Sequence, residues 1–314
     1  MLPYLLRRLV ASVVTLAGIV AITFALMHAV PGGPFEVLAG DGATPGLIAA
    51  QEAAYDLDRP LPEQFARTLG NLVQGDLGIS FAQRGQPVAE LLAPRVRTSA
   101  IIGVLAFALV IAAGIPAGVL TATRRGSGWD IAGLSLSTAL AALPSFVLAF
   151  LLLLVFAIGL GWTDVRPGAG FGTSASSLRH AVLPAVALAA PSVALLARMT
   201  RAALIEVLDA DYVRTARAKG LDEHAVVWRH GLRNALVPVL TLAGPVFANL
   251  IVGSIIIESI FGLPGVGSLF VTAIAQRDYG VIMGVTLFYA VVVLAANLAV
   301  DLLYPVVDPR VRLA

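Results

Sequence analysis

Apolar residues gather into six long runs along the 314-residue chain: Leu9 to Val30, Thr98 to Ala122, Ile131 to Leu160, Ala181 to Thr200, Leu236 to Ile257 and Val281 to Leu303. Each reaches the ~20 residues that an α-helix needs to cross a bilayer. The pattern predicts an all-α polytopic membrane protein with six transmembrane helices, since only helices and closed barrels satisfy their backbone within lipid. The first run follows Arg7 and Arg8 as a signal peptide would. Its apolar stretch exceeds the roughly 7–15 residues of such peptides and no clean small-x-small site follows, so it reads as an anchor.

Composition agrees with the pattern. Hydrophobic residues make up 58% of the chain and charged residues only 13%, with a mean hydropathy of +0.89, far from a soluble domain. The net charge of +2 gives no reason to expect a nucleic-acid partner, and Lys219 is the only lysine. With no cysteine, disulfides, thiolate catalysis and cysteine-ligated metals are excluded. The runs divide the chain into residues 1–97, an anchor helix with a long polar loop, and residues 98–314, a core of five further spans.

Charge distribution orients the spans. With both ends inside, the inner segments hold thirteen basic residues and the outer ones eight, of which five lie in the long first loop. Short loops decide orientation, so the comparison is thirteen against three and predicts cytoplasmic termini. Gly126 and Asp222 then face the cytoplasm, and Gly42 and Gly170 face outward. Arg95 and Arg97 run against the bias.

One inner segment departs from the surrounding apolar sequence: RTARAKGLDEHAVVWRHGLRNALVP, Arg214 to Pro238. Tyr212 to Lys219 has helical character, and Gly220 stands where a helix end takes a left-handed residue. Arg217 and Lys219 fall in the last turn, at the negative end of the dipole. Asp222 suits the N-cap of a second helix, with Glu223 in its first turn. Ala225, Trp228, Leu232 and Leu236 recur at helical spacing, opposite Arg229, His230 and Arg233. The expectation is a helix, a glycine turn and an amphipathic helix within a loop of about residues 201–235. Either the basic residues only hold topology, or the segment is a docking surface on which Ala216 and Ala218 admit a close partner.

DYVRTARAKGL followed by RHGLRNALVPVLT resembles the cytoplasmic coupling loop of ABC importer permeases of the dipeptide, oligopeptide and nickel type. The resemblance continues through VPGGP, LDRPLPEQFARTLGNLVQGDLGIS, LPSF, IIIESIFGLPGVG and NLAVDLLYPVVDPRVR, in order along nearly the whole chain. It departs from the broader importer motif: Arg214, Thr215 and Ala216 replace Glu-Ala-Ala, and the closing proline is delayed to Pro238. The resemblance implies a type I importer permease fold with a large external loop after the first helix. Residues 214–221 (Arg214, Thr215, Ala216, Arg217, Ala218, Lys219, Gly220 and Leu221) would meet an ATPase. It further implies a second permease, two ATPases and an extracytoplasmic binding protein as partners, in a bacterial inner membrane. Cargo would be di- or oligopeptides, or nickel or another small solute.

The energy source is not in this chain. A P-loop needs Gly-Lys followed by Ser or Thr, and Lys219 follows Ala218 and precedes Gly220. The chain is expected to be no enzyme and to hold no cofactor, ATP and magnesium being bound by partner subunits. An ion-coupled secondary transporter would place ionisable residues within its spans, whereas His28, Arg198 and Asp301 lie near span ends. An intramembrane enzyme would need a nucleophile and base, or a metal cluster; the four histidines show no ligand spacing.

Proline breaks in apolar helices release carbonyls towards interfaces or cavities. Pro144 with Ser145 and Phe146, and Asn249 and Ser254 in the fifth span, are therefore candidates for the translocation path. Gly114 and Gly118 form a Gly-xxx-Gly pair suited to close helix contact. The loop from Pro31 to Arg97 carries eight acidic residues against five arginines and is too long for a bare connection. Asp58, Arg59, Gly75, Asp76 and Gly78 match the recurrent pieces of the resemblance and are candidates for binding-protein contact. Gly265 and Gly267, near Glu258, suggest a re-entrant turn.

Overall fold

The computed structural model describes residues 2–39, 44–83, 85–163, 171, 176–252 and 254–307. Gly42, Gly170, Arg310 and Arg312 lie outside the described residues. The described elements are helical, with one isolated bridge between Ile79 and Pro87. Among the described residues, five helices are long and apolar enough to cross a membrane, and one bent pair supplies a sixth crossing if it forms a single span.

Helix α1 (Leu2–Ala29) is followed by three short helices, α2 (Pro34–Ala39), α3 (Pro45–Ala54) and α4 (Leu61–Val73). Helix α5 (Val88–Thr123) leads through a turn at Gly126 to α6 (Gly128–Ala142) and α7 (Ser145–Leu152), which continues as a wide π turn over Leu153–Gly159. Next come α8 (Ser176–Leu208), α9 (Asp211–Ala218) and the single turn α10 (Glu223–Ala225). A second π segment, Val226–Gly231, opens into α11 (Leu232–Val252), and α12 (Ser254–Ile260), α13 (Val266–Gln276) and α14 (Tyr279–Val307) complete the chain.

The main core joins α5, α8 and α11 through Ile102, Ala106, Val110, Leu188, Leu196, Val246 and Leu250. Small residues set the α5–α8 approach. A Cβ on Gly118 would lie 2.5 Å from Thr200 Cβ and 2.6 Å from the Ala197 carbonyl, and one on Gly114 would lie 3.0 Å from Leu196 Cβ. The Gly-xxx-Gly pair thus brings two spans together by backbone proximity, the device that replaces a hydrophobic drive in lipid. At one end of this core, α6 is fastened to α8 by a two-pronged ion pair, Arg201 Nε and Nη2 donating to Asp130 Oδ1 and Oδ2 at 2.7 and 2.8 Å.

Two spans differ from expectation. The third is not one helix: α6 and α7 meet at 98°. Leu143, preceding a proline, is held extended at ψ 118°, and Pro144 stands at φ −58°, ψ 135° as the residue before α7; the pyrrolidine ring disfavours helix at the residue before it. The second span begins at Val88 rather than Thr98, so the 97/98 division falls inside α5. Hydropathy stops at Arg95 and Arg97, but Val88, Leu91 and Leu92 are buried against Val266, Leu269, Val281 and Val285 of α13 and α14. Arg95 curls back to donate to the Leu91 carbonyl at 2.6 Å, the folded-back posture by which arginine stays near apolar helices.

Candidate functional site

The segment from Asp211 to Leu232 folds as two helical pieces around a glycine. Helix α9 buries Val213 and Ala216 against Val226, Val207 and Leu208. It ends in a Schellman motif: Gly220 N donates to the Arg217 carbonyl at 2.9 Å and Leu221 N to the Ala216 carbonyl at 3.4 Å. Gly220 takes φ +79°, the left-handed value that this closure requires. Asp222 then caps the next helix, its Oδ2 accepting from His224 N at 3.1 Å and Ala225 N at 3.4 Å.

Arg217 locks the turn from the side. Its Nε and Nη2 donate to Glu223 Oε2 and Oε1 at 3.1 and 2.8 Å, and Nη1 reaches the Leu208 carbonyl at 3.4 Å. Donation to the Glu223 carboxylate raises the Arg217 pKa above its ordinary value. Asn234 donates to the Tyr212 hydroxyl at 2.7 Å, tying the start of α11 to α9. Sequence spacing gives Glu223 a role at a helix dipole; its pairing with Arg217 depends on the turn folding the chain back on itself.

The outward side chains differ from those expected. Ala216 faces inward and offers a partner no surface, leaving Ala218 as the exposed small residue. Trp228 is 45% exposed while Val226 and Val227 are buried. The π segment over Val226–Gly231 has more residues per turn than the 3.6 of an α-helix, which rotates Trp228 out of the apolar stripe. The exposed side carries Arg214, Thr215, Lys219, Gly220, Leu221 and Arg229, with Tyr212 and Trp228 as its aromatic members.

The other sequence candidates lie apart. Pro144, Ser145 and Phe146 sit at the α6–α7 bend, with Phe146 43% exposed. Helix α7 packs on α8 and α12. Asn249 is exposed on α11, on one helical stripe with Asn234, Pro238, Thr241 and Pro245, the 3–4 residue spacing of a helix face. Ser254 is the first residue of α12; its side chain is outside the described residues.

Between α1 and α5, Asp56 adopts φ +58° and accepts from Arg59 Nε and Arg67 Nη1, both at 2.7 Å. Hydrogen bonding to Arg59 lowers the Asp56 pKa from its ordinary value. Asp58 is exposed, Gly75 and Gly78 both take φ +80°, and Asp76 Oδ1 accepts from Gly78 N at 2.8 Å.

This segment is held to the far end of the chain by four consecutive residues. Arg277 Nη1 donates to the carbonyls of Pro31 and Gly32. Asp278, 2% exposed, accepts from Ser80 Oγ and from the amides of Phe81 and Ala82. Tyr279 donates to the Met27 carbonyl at 3.0 Å, and Gly280 lies so close to the Ile79 carbonyl that a Cβ would overlap it. A sequence reading has no access to this run, because each partner is remote in the chain.

Long apolar helices packed through small residues, with an exposed helix–glycine–helix element between α8 and α11, define a multi-pass membrane protein. Residues 114–313 match the family described as binding-protein-dependent transport system inner membrane component, and residues 1–100 match the N-terminal region of the same transport-system membrane components. The chain belongs to this family, the permease components of ABC importers, and is a multi-pass inner-membrane protein.

It is 40% identical over 313 residues to the oligopeptide transport system permease protein OppB of Salmonella typhimurium, covering 99% of this chain and 100% of that one. Against OppB of Haemophilus influenzae it is 39% identical over 312 residues, with 99% and 100% coverage. The fold resembles the crystal structure of an amino acid ABC transporter with histidines at a TM-score of 0.53 and 16% identity, covering 69% of this chain and 94% of that chain.

Proposed function

We propose that this chain is one of two permease subunits of an ATP-driven importer of di- or oligopeptides, working by alternating access. The observation that carries the mechanism is the α9–Gly220–α10 element. Its backbone geometry is fixed by the Schellman closure, the Asp222 cap and the Arg217–Glu223 pair, while its outer face is exposed. A rigid exposed element joined to α8 on one side and α11 on the other passes a push from a docked ATPase into two core spans. The absence of a P-loop in the sequence supports separate ATPases as the holders of ATP and magnesium.

The cargo class rests on the relatives named for oligopeptide transport. The path would run along the α11 stripe of Pro238, Thr241, Pro245 and Asn249 and past the α6–α7 bend at Pro144, with a sister permease closing the other side. The charge bias supports cytoplasmic termini, which puts α9 and α10 inside and the α1–α5 segment outside. There Asp58, Arg59, Gly75 and Gly78 would meet the binding protein.

The deciding experiment reconstitutes the chain with a sister permease, two ATPases and the binding protein in vesicles and follows a labelled oligopeptide. Uptake that requires ATP is the expected result, together with no ATP hydrolysis by the purified chain alone. Uptake by the chain alone under an imposed ion gradient would instead favour a secondary transporter.

A further inference from the structure

A cavity of about 440 Å³ opens between the end of α1, helix α4, the 76–81 turn and the start of α14. It stands apart from the proposed path, since none of Pro144, Ser145, Phe146, Asn249 and Ser254 lines it. One wall is α1, whose apolar window is only 6% buried within the chain. The cavity therefore lies at the edge of the subunit.

Its lining is of two kinds. Apolar side chains come from the ends of two spans, Phe24 and Met27 of α1 and Met283 of α14, beside the polar His28, Gln64 and Tyr279. The rim comes from the α1–α5 segment and holds Asp56, Arg67, Asn71 and Asp76, the last three exposed. Such a lining suits an amphiphile with its tail at bilayer level and its head among charged groups.

The head can be narrowed by charge. Arg67 uses Nη1 on Asp56 and Nη2 on Glu63 and is still 46% exposed, leaving guanidinium donors for a phosphate, which arginine recognises well. Asp76 has one oxygen on the Gly78 amide and can accept from an ammonium with the other. Two carboxylates, Asp56 and Asp76, against one guanidinium, Arg67, give a rim charge of −1, which disfavours an anionic head.

We propose that this cavity holds one zwitterionic aminophospholipid of the outer leaflet, its phosphate on Arg67, its ammonium on Asp76 and an acyl chain between Phe24 and Met283. The side of the membrane rests on the orientation given under Proposed function. The lipid fills the gap between α1 and α14 and braces the anchor helix against the core.

The test purifies the complete transporter from nanodiscs of equal phosphatidylethanolamine and phosphatidylglycerol and counts retained lipid by native mass spectrometry. Expected is one retained phosphatidylethanolamine per copy of this chain, favoured several-fold over phosphatidylglycerol by the rim charge. Thr68→Trp, which fills the cavity, should abolish retention, and Leu72→Trp serves the same purpose if the first variant fails to assemble. Asp76→Asn should keep a lipid but bring the two headgroups towards parity.

Equal retention of both lipids by the unaltered chain, or unchanged retention in an assembled cavity-filling variant, overturns the proposal. So does displacement of the lipid by a short zwitterionic peptide, which would assign the cavity to cargo. ATP-dependent peptide uptake is measured on the same purified complex reconstituted into vesicles. Loss of uptake with lipid retained counts against the peptide-import reading alone.

Discussion

Glu258 and Ser99, 159 residues apart, are joined by a hydrogen bond of 2.6 Å from the serine hydroxyl to the carboxylate. The serine oxygen accepts in turn from Val266 N at 2.9 Å, and the second carboxylate oxygen accepts from Gly267 N at 2.9 Å and Ser268 N at 3.3 Å. A fully buried acid thus caps the N-terminus of α13 and pins it to α5. Gly265 and Gly267 are glycines for a local reason, since a Cβ on Gly265 would overlap the Glu258 carboxylate and one on Gly267 would lie 2.5 Å from Ile255 Cα.

Glu258→Ala should be the most damaging single change in this region. It strands the Ser99 hydroxyl and two amides, at about 1–3 kcal/mol for each buried group left unpaired. Glu258→Gln keeps an acceptor and should lose less. Thermal unfolding of the purified complex checks the order, and equal midpoints for alanine, glutamine and the unaltered chain would remove the capping role.

Gly220→Val should leave abundance and insertion near normal while loosening ATPase association and lowering ATP-dependent uptake. A Cβ at Gly220 meets nothing within 4 Å, so the cost comes from φ +79° alone, about 1–2 kcal/mol for a left-handed residue with a side chain. Gly220→Asn, which tolerates that conformation, should retain more activity. Arg229→Ala should matter less, as an exposed charge contributes under about 1 kcal/mol. Co-purification of ATPase with each variant at matched expression is the measurement, and a fully associated, fully active Gly220→Val complex would leave the segment a topology signal only.

Gly118→Leu should separate α5 from α8, because its side chain would enter the Ala197 carbonyl and Thr200. Overpacking costs about 1–3 kcal/mol, so a lower unfolding midpoint and lower yield are expected. Gly46→Ala, in open space, is the matched control. Indistinguishable midpoints would show that the two spans have room to part.

Single cysteines introduced into this cysteine-free chain test the orientation. An impermeant thiol reagent on intact cells should label Gly42→Cys and spare Asp222→Cys; the reverse pattern would invert the proposed topology.

Runs of apolar residues made the spans legible, and Gly220 and Asp222 announced the turn because their backbone requirements are local. Three features were hidden for definite reasons. Pro144 is readable as a break, but it lies within continuous apolar sequence, so the size of the 98° bend is not. The stripe through Trp228 assumed 3.6 residues per turn, and a π segment changed the phase. Val88 to Arg97 continues α5 because α13 and α14 cover its apolar residues, and that cover comes from sequence about 180 positions away. Glu258, Arg217 and Asp278 likewise owe their roles to partners that only the folded chain brings near.

The clasp made by Arg277 to Gly280 also sets an order of events during synthesis. Ser80 leaves the ribosome 198 residues before Asp278, an interval of about 10–40 s at ~5–20 residues per second. Throughout that time the amides of Phe81 and Ala82 lack their acceptor and the carbonyls of Pro31 and Gly32 lack their guanidinium. The segment between the first two spans is completed only when the last span arrives, so a chain cut short before residue 277 exposes an unfinished surface that a membrane protease can recognise.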